Sequence, residues 1–387
     1  MTGPLRGTTI IELAGLGPAP FAGMMLADMG ADVIRVERPG PNLRAPLDPL
    51  ARNRRSIACD LKRPEAREIV WRLVTTADGL IEGFRPGVTE RMGLGPDDCL
   101  ERNPRLAYGR MTGWGQDGPL ARAAGHDLNY LALTGVLHMI GEQGRKPVPP
   151  LNLVADFGGG GMLLAFGMVC AILNARSGGK GQVVDAAMVD GVNALAALFH
   201  GLRAQGLLSE GPGESFLGGA AHWYDTYETS DGRYVSIASI EPQFYAELIE
   251  KAGLDPGRFG PHGFRGRLDD DVRANWAELK AELAAVIRTK TRDEWCEIME
   301  GTDVCFAPVL TLGEAPGHPH NVARHTFTDV GGNVQPAPAP RFGATGADSP
   351  RPGVAPGTHS REILRGLGYS TAEIDALIES GAVSAAA

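Results

Sequence analysis

Residues 8–36 read TTIIELAGLGPAPFAGMMLADMGADVIRV, and this stretch decides the fold class. Its two ends, residues 8–13 and 32–36, are dominated by β-branched and aliphatic side chains, which are typical of buried strands. The segment between them, residues 18–29, opens with two prolines that suit a helix entrance, and it repeats methionine at near-helical spacing. A strand, a helix and a second strand in this order predict a parallel sheet.

The same alternation continues along the chain. Three more strands are predicted at residues 56–60, 79–84 and 106–111, and helices at residues 125–137, 157–174 and 189–205. The helix at 157–174 contains four consecutive glycines near its start, which indicate tight packing or a close backbone approach there. We therefore expect an α/β protein in which residues 1–205 form the first part of a large domain.

A second, smaller α+β domain is predicted at residues 214–308, after a glycine-rich linker. It begins with a hairpin at residues 223–237, which turns at Ser230-Asp231-Gly232. Its helices are predicted at residues 242–252, 272–290 and 291–300. The last of these starts with a Thr-x-x-Glu capping box, Thr291 to Glu294.

Residues 309–387 are expected to complete the large domain. Proline and glycine are frequent as far as residue 356, which favours a segment that wraps a surface rather than one that builds a core. A final amphipathic helix is predicted at residues 370–378, capped by Ser370 or Thr371.

The composition excludes several classes of protein. A chain of 387 residues that is 43% hydrophobic can bury one large core or two modest ones. The net charge of -9 and pI near 5.5 disfavour a nucleic-acid ligand. Five scattered cysteines without a CxxC pair argue against a disulfide framework or structural zinc and fit a reducing, cytoplasmic compartment. We predict neither a secretory signal nor a transmembrane helix.

The first ligand to consider for a βαβ chain is a dinucleotide, but its fingerprint is incomplete. Gly15-Leu16-Gly17 is followed by Pro-Ala-Pro-Phe instead of completing a GxGxxG turn, and a GxxxxGK[ST] loop is absent from the sequence. Four cations follow the predicted strands, namely Arg38, Lys62, Arg85 and Arg91. The carboxyl ends of parallel strands share one edge, so these cations can converge on one polyanion, although each alone is typical of a solvated surface residue.

Three residues are candidates for acid–base chemistry. His126 begins a helix-like run, Asp156 stands just before the glycines, and Glu241 precedes another predicted helix. Taken singly, such residues are usually a structural histidine, a helix N-cap and a first-turn helix acid. Taken together, they meet the needs of a two-base proton transfer.

At these residues the chain resembles the α-methylacyl-CoA racemase branch of the family III CoA-transferase superfamily, nearly from end to end. The motifs that carry the resemblance follow one another in the same order as in the family. They are Ile11-Glu12-Leu13-Ala14, LADMGADV at 26–33, Phe84-Arg85-Pro86-Gly87, GHDLNY at 125–130, LNLVADF at 151–157, GKGQVVD at 179–185 and EPQFY at 241–245.

The resemblance implies an interlocked homodimer in which each subunit has a Rossmann-like large domain and a small domain. The active site would lie between the large domain of one subunit and the small domain of the other, so that Glu241 reaches His126 across chains. Arg38 is expected beside the adenine of CoA, with the other three cations around its phosphates. The full implied CoA- and substrate-binding set is Arg38, Cys59, Lys62, Phe84, Arg85, Arg91, Gly125, Asp127 and Tyr130.

The activity that the resemblance implies is an isomerase of fatty acid metabolism, which inverts the α-carbon of 2-methylacyl-CoA thioesters. His126 and Asp156 would act as paired acid and base on opposite faces of that carbon. Glu241 would orient His126, and Asn152 would orient Asp156. The backbone N–H groups at the start of the glycine-rich helix are expected to stabilise the enolate. Beyond the CoA moiety of the substrate, we expect neither a metal nor a redox cofactor.

The sequence is also compatible with two other functions. A family III CoA-transferase would move CoA between carboxylates through an aspartyl anhydride at Asp156. Such enzymes usually show a Gly-Tyr-Asp-like motif where this chain has Gly125-His126-Asp127, so the imidazole favours the racemase. A catalytically silent CoA-binding protein would show damage to the acid–base set, which is intact here.

The acyl chain of the substrate is also open. Phe216, His222 and Trp223 depart from the loop pattern expected of the racemase, and residues 253–271 are longer and richer in Gly and Asp than expected. These changes indicate an altered acyl pocket, or else side chains that only pack within the hairpin.

Overall fold

The computed structural model describes residues 2–40, 45–264 and 273–386, which form two compact units. Unit 1 comprises the described residues of Met1–Thr134, Leu151–Leu195 and Pro319–Ala387. Unit 2 comprises those of Gly135–Pro150 and Ala196–His318. The sequence prediction ended the first large-domain segment at residue 205 and assigned residues 135–150 to it, whereas both 135–150 and 196–205 belong to unit 2.

The strands of the described chain are short and are numbered in chain order. They are β1 (Thr9–Leu13), β2 (Asp32–Glu37), β3 (Arg55–Cys59), β4 (Gly79–Glu82), β5 (Ala107–Thr112), β6 (Gln182–Ala187), β7 (Tyr224–Glu228), β8 (Tyr234–Ala238), β9 (Phe306–Val309), β10 (Phe327–Val330), β11 (Asn333–Pro336) and β12 (Val383–Ser384).

The helices are numbered in the same way. They are α1 (Pro18–Asp28), α2 (Pro64–Thr76), α3 (Val88–Arg91), α4 (Pro96–Arg102), α5 (Asp127–Leu133), α6 (Val136–Met139), a π-helix (Leu153–Met162), α7 (Leu163–Arg176), α8 (Met188–Leu195), α9 (Ala197–Ala204), α10 (Pro242–Ala252), α11 (Pro256–Phe259), α12 (Trp276–Ile287), α13 (Arg292–Met299), α14 (Pro319–Ala323), α15 (Ser360–Gly366) and α16 (Thr371–Glu379). Short 3-10 turns lie at Ala45–Leu47, Pro49–Ala51, Phe216–Gly218, Gly260–His262 and Ala315–Gly317.

Unit 1 is built on a seven-stranded sheet in the order β12-β3-β2-β1-β4-β5-β6. The strands β1 to β6 pair in parallel, while β12 pairs antiparallel with β3 at one edge. The five strands predicted from the sequence are all confirmed, and their ends differ from the prediction by at most two residues. The edge strands β6 and β12 were not predicted.

The core of unit 1 explains why its strands could be recognised. Every residue of β4 and β5 is buried, and Ile11, Ile57 and Leu80 are completely inaccessible to solvent. Helices that cover both faces of a parallel sheet bury its strands on both sides, so the strands are continuous apolar runs without alternation. The helix α2 contributes to the same cluster through Ile69 and Val70.

The glycine-rich helix begins earlier than predicted. A π-helix starts at Leu153 and continues directly into α7, so Asp156 lies in its first turn and does not precede the helix. The predicted close backbone approach is confirmed, because a Cβ atom on Gly191 of α8 would lie 1.8 Å from the carbonyl oxygen of Gly159. Similarly, a Cβ atom on Gly161 would lie 2.6 Å from the ring of Phe21 in α1. The glycines therefore let α1 and α8 pack directly on this helix.

The combined helix Leu153–Arg176 has 24 residues and is long and apolar enough to cross a membrane by length and composition. Length and composition do not by themselves place a helix in a membrane, so the sequence prediction of no transmembrane helix stays a prediction. Core helices of α/β proteins pass the same test, and this one packs against α1, β5 and β6. Its other side carries exposed apolar side chains, among them Phe166 and Leu173.

Two other predicted helices are each broken into two. The helix predicted at residues 125–137 is divided into α5 and α6, because Gly135 adopts a left-handed conformation with φ 80°. The helix predicted at residues 189–205 is divided at Ala196 into α8 and α9. In both cases the break coincides with the boundary between the two units.

Unit 2 combines a three-stranded antiparallel sheet, in the order β7-β8-β9, with helices. The predicted hairpin is confirmed in β7 and β8, and α10 has the predicted bounds. The predicted capping box is confirmed at α13, where the Thr291 hydroxyl accepts the Glu294 N–H at 3.2 Å. Trp223, Leu279 and Trp295 form part of a separate buried core. Residues 265–272 lie outside the described residues. They include the last part of the loop at 253–271 and the first residue of the helix predicted at 272–290.

The return segment Pro319–Ala387 closes unit 1. The Arg52 guanidinium donates to the Asp28 carboxylate at the end of α1, and also to Gln335 at 3.0 Å and the carbonyl oxygen of Pro336 at 2.7 Å in β11. The predicted last helix is confirmed as α16, which is capped by Ser370. After it, β12 extends the edge of the sheet beside Cys59.

Candidate active site

A cavity of about 1580 Å³ lies in unit 1 at the carboxyl ends of the parallel strands. Its walls come from the segments that leave β1, β2, β3, β4 and β5, together with residues 121 and 123–126, Tyr130 and Asp156. Ligands of open α/β sheets bind at this edge because loops and helix starts converge there. The volume exceeds the roughly 300–1,000 Å³ that is usual for pockets of drug-sized ligands. The cavity therefore suits a large and extended ligand.

The structure brings the four predicted cations to this cavity. Arg38, Lys62, Arg85 and Arg91 all line it and are all exposed. Within the described residues, none of the four forms an ion pair with a carboxylate. Their charge is therefore available to an anionic ligand, although the net charge of the whole chain is -9.

Arg67 is a fifth cation at the cavity that the sequence reasoning missed. It lies in the first turn of α2 and donates to the carbonyl oxygens of Leu61 and Lys62, both at 3.1 Å. These bonds fix the loop that carries Lys62. A signal was present, because a helix that follows a strand in a βαβ unit begins at the same edge of the sheet.

His126 and Asp156 line the same cavity, and a buried carboxylate connects their helices. Asp127 is the first residue of α5, directly after His126, and is 5% exposed. Its Oδ2 accepts the backbone N–H of Ala155 at 2.8 Å and that of Asp156 at 2.7 Å. Asp127 therefore holds the start of the π-helix against the start of α5. It was predicted in the CoA- and substrate-binding set, but it does not line the cavity.

The backbone around His126 is fixed by its own helix. The His126 N–H donates to Oδ1 of Asn129 at 3.0 Å, and the Tyr130 hydroxyl donates to the carbonyl oxygen of Gly125. The Tyr130 ring also leaves no space for a side chain at residue 125, since a Cβ atom there would lie 2.7 Å from it. Trp114 packs edge-on against Tyr130 with ring centroids 4.7 Å apart. Gly125 and Tyr130 thus form the wall of the cavity beside His126.

The surroundings of Asp156 raise the pKa of its carboxyl above the ordinary value. Burial is the main cause, and the nearby negative charge of Asp127 acts in the same direction. The Asn152 side-chain N–H donates to Asp156 Oδ2 at 3.2 Å, and together with His126 it opposes the rise. The predicted pairing of Asn152 with Asp156 is confirmed by this hydrogen bond. A raised pKa makes the protonated form of Asp156 more accessible than that of an ordinary aspartate.

Two amides in the first turn of the glycine-rich helix do not fit the expected role of stabilising an enolate. The N–H groups of Ala155 and Asp156 are already bonded to Asp127, and the four glycines lie inside the π-helix. Backbone N–H groups inside a helix bond to carbonyl oxygens of an earlier turn, so they are not available to a ligand.

Two other predicted contacts line the cavity. Phe84 is half-buried in the segment that leaves β4. Cys59, at the end of β3, is 1% exposed, and burial raises the pKa of its thiol to about 12. Cys59 is therefore a neutral thiol and contributes shape rather than charge.

Glu241 and the three altered loop residues lie in unit 2. Glu241 is exposed and directly precedes α10. His222 and Trp223 are completely buried, and His222 Nε2 lies 2.6 Å from the Tyr245 hydroxyl. Phe216 stacks on Phe264 with ring centroids 5.4 Å apart. Of the two alternatives for these residues, packing within unit 2 accounts for His222, whose pKa burial lowers to about 3.

The described residues contain no group of three or more His, Cys, Asp or Glu side chains that could hold a metal ion. His126, Asp156 and the cations line the cavity together with the carboxylates of Glu37 and Asp60 and the thiol of Cys59.

Comparison with known proteins identifies the relatives of this chain. The family model of CoA-transferase family III matches residues 5–357. The chain is 43% identical to the α-methylacyl-CoA racemases of Mus musculus and Homo sapiens, in each case over 98% of this chain and 99% of the relative. A crystal structure of a CAIB/BAIF family protein from Brucella suis superposes with a TM-score of 0.80 at 28% identity, covering 95% of this chain and 100% of that one.

The environment of Asp156 leads to a prediction about its titration. Asn152→Ala removes a hydrogen bond to the charged carboxylate, so the pKa of Asp156 rises further above its ordinary value. Asp127→Asn removes a neighbouring negative charge but keeps an oxygen that can accept the two N–H groups, so the pKa of Asp156 falls. Carbon-13 NMR of labelled aspartate carboxyl groups measures both shifts, with Asp156→Asn to assign the signal. A shift in the same direction in both variants would contradict this assignment of causes.

Proposed function

We propose, on the premise that this chain belongs to CoA-transferase family III, that it is an isomerase that inverts the α-carbon of 2-methylacyl-CoA thioesters. The observation that carries the proposal is that His126 and Asp156 line one cavity and are held there by Asp127. The proposal is also supported by the 43% identity, over nearly the full length, to two curated α-methylacyl-CoA racemases.

The chemistry requires a group on each face of the α-carbon. A hydrogen next to a thioester is a weak carbon acid, so its removal needs a base, and inversion needs an acid on the opposite face. In the proposed reaction His126 and Asp156 occupy these two positions and exchange roles for the opposite enantiomer. The raised pKa of Asp156 supports its role as a proton donor in one direction.

The CoA moiety of the substrate would occupy the cationic part of the cavity. Arg38 follows β2 and Lys62 follows β3, while Arg85 and Arg91 follow β4. We propose that Arg38 lies beside the adenine and that the other three bind the phosphates. Phe84 and Tyr130 would line the path from the phosphates to the reacting carbon. The thioester itself acidifies the α-hydrogen, so the proposed reaction uses neither a metal nor a redox cofactor.

The proposal predicts exchange of the α-hydrogen with solvent. In deuterated water the wild-type protein should incorporate deuterium into a 2-methylacyl-CoA of defined configuration and also invert it. Because each variant lacks one of the two bases, His126→Ala and Asp156→Ala should each reduce inversion by about 10²-fold or more. Mass spectrometry measures the exchange, and chiral chromatography of the released acid measures the inversion.

The same experiment separates the main alternative. If the wild-type protein shows no exchange, but moves CoA to an added carboxylate in a reaction that Asp156→Ala abolishes, the chain is a CoA-transferase with an aspartyl anhydride intermediate. Retention of exchange and inversion in His126→Ala would also contradict the two-base mechanism.

We further propose that the protein is an interlocked homodimer and that Glu241 of a second copy orients His126. A large apolar surface on the helix Leu153–Arg176 supports an assembly, since Leu153, Phe166 and Leu173 are each more than half exposed. A carboxylate that bonds to the ring of His126 would select its tautomer and raise its basicity. The exposed position of Glu241 before α10 is compatible with this role.

Shared active sites predict a specific complementation. His126→Ala and Glu241→Ala chains should each be nearly inactive alone. If they are co-expressed and assemble at random, half of the dimers are mixed, and each mixed dimer has one site with both residues intact, so that activity returns to about one quarter of wild type. Exchange assays on tagged, co-purified dimers measure the recovery. Activity no higher than that of the two separate variants would contradict sharing of Glu241 between chains.

We also propose a reducing, cytoplasmic location without membrane insertion and a role in fatty acid metabolism. All five cysteines are free, which is compatible with a reducing compartment. Packing of the helix Leu153–Arg176 against α1, β5 and β6 supports its role as a core helix.

A further inference from the structure

We infer that Arg110 is a positioning residue for the CoA part of the substrate, because it binds both ends of the cavity-lining segment 83–91. This inference rests on the proposed function, since it assigns a role in CoA binding. Arg110 lies in β5, is 6% exposed and does not itself line the cavity. Its effect on a ligand must therefore be transmitted through the residues that it holds.

The first connection is to the start of the segment. Glu82 ends β4 and stands opposite Arg110 in the neighbouring strand. The Arg110 Nε–H donates to Glu82 Oε1 at 2.8 Å, while Glu82 Oε2 accepts the backbone N–H of Phe84 at 2.7 Å. One buried carboxylate thus links the Arg110 guanidinium to the chain as it leaves the sheet and enters the cavity wall.

The second connection is to the end of the segment. Glu90 lies in α3, and its Oε1 is 2.8 Å from Nη1 of Arg110. The other oxygen, Oε2, accepts the hydroxyl of the buried Thr89 at 3.2 Å. One carboxylate oxygen of Glu90 therefore holds α3 against β5, and the other is bonded within α3 itself.

The segment carries five side chains that line the cavity, namely Phe84, Arg85, Pro86, Val88 and Arg91. It turns sharply at Gly87, which has a φ of 81°, and the Val88 N–H donates to the carbonyl oxygen of Arg85 at 3.1 Å. With both ends fixed to β5, the turn places Arg85 and Arg91 at the same cavity. Long cationic side chains bind phosphates more tightly when their backbone is already in place, because less conformational entropy is lost.

The charges around Arg110 indicate that it positions the segment rather than binding the phosphates of the ligand directly. Its guanidinium faces two carboxylates, so it adds no net positive charge for a phosphate to attract. Glu82 is completely buried, and removal of Arg110 would leave its charge without a partner, which endangers folding. The link to Glu90 is the safer one to cut, because its side chain is 43% exposed.

The test therefore uses Glu90→Ala, with Glu90→Gln as the conservative variant. In Glu90→Ala, we expect the Kd of free CoA and the KM of a 2-methylacyl-CoA to rise about tenfold, which corresponds to the loss of one charge-assisted hydrogen bond. The value of kcat should stay at the wild-type level, because His126 and Asp156 are untouched. Glu90→Gln keeps an oxygen for Arg110 and should show a smaller rise.

A truncated substrate and a matched control variant show whether the effect of Glu90→Ala is specific to binding of the CoA nucleotide. The corresponding pantetheine thioester lacks the nucleotide and its phosphates, so its kcat/KM should be the same in wild type and Glu90→Ala. Glu68→Ala is the control, because Glu68 forms a similar exposed ion pair with Arg72 in α2 but does not line the cavity. It should leave the Kd of CoA unchanged.

The possible results distinguish an error in the role of Arg110 from an error in the proposed function. If wild type binds CoA and Glu90→Ala binds it equally well, the inference about Arg110 is wrong while the proposed function stands. A loss of kcat, or an equal loss with the pantetheine thioester, would show general damage and would also overturn it. Failure of the wild-type protein to bind CoA would overturn the proposed function and this inference together.

Discussion

The two hydrogen bonds from the backbone of Ala155 and Asp156 to the carboxylate of Asp127 are the constraint on which the candidate site depends. The first N–H groups of a helix lack partners inside it, and a buried carboxylate satisfies them. Because Asp127 directly follows His126, the same bonds bring His126 and Asp156 to one cavity. The buried negative charge of Asp127 also raises the pKa of Asp156. One side chain therefore influences both where Asp156 lies and how readily it holds a proton.

The parallel sheet arranges the rest of the site around this point. The cations follow β2, β3 and β4, whereas Trp114 follows β5 and the Gly17 loop that follows β1 lies against Asp156. The cationic side chains, His126 and Asp156 are thus spread along one edge of the sheet. Such an arrangement suits a long ligand with phosphates at one end and a reactive carbon at the other. It also explains how an acidic chain can present a local cationic surface.

The sequence predicted the elements that repeat a simple pattern, namely the five buried strands, α1 and the hairpin of unit 2. It missed β6 because that strand is largely exposed and lacks a continuous apolar run, and β12 because it has only two residues. The start of the glycine-rich helix was misplaced because the glycines were interpreted as its beginning, whereas they mark close packing inside it. The meeting of the cations with His126 and Asp156 at one cavity could be predicted because motifs carry these residues. The roles of Asp127 and Arg110 could not, since they arise from contacts between residues that are distant in sequence. Arg67 was missed for another reason, because its place at the start of the helix after β3 was not considered.

The central claim is that His126 and Asp156 act on opposite faces of one carbon atom. A crystal structure with a bound, non-reactive analogue of a 2-methylacyl-CoA tests this most directly. The two-base mechanism requires the α-carbon to lie between the imidazole and the carboxylate, with each group within about 3–3.5 Å of it and on opposite faces. An Asp156 carboxylate directed at the thioester carbonyl carbon, with His126 distant from the α-carbon, would contradict this mechanism and indicate nucleophilic attack by the aspartate.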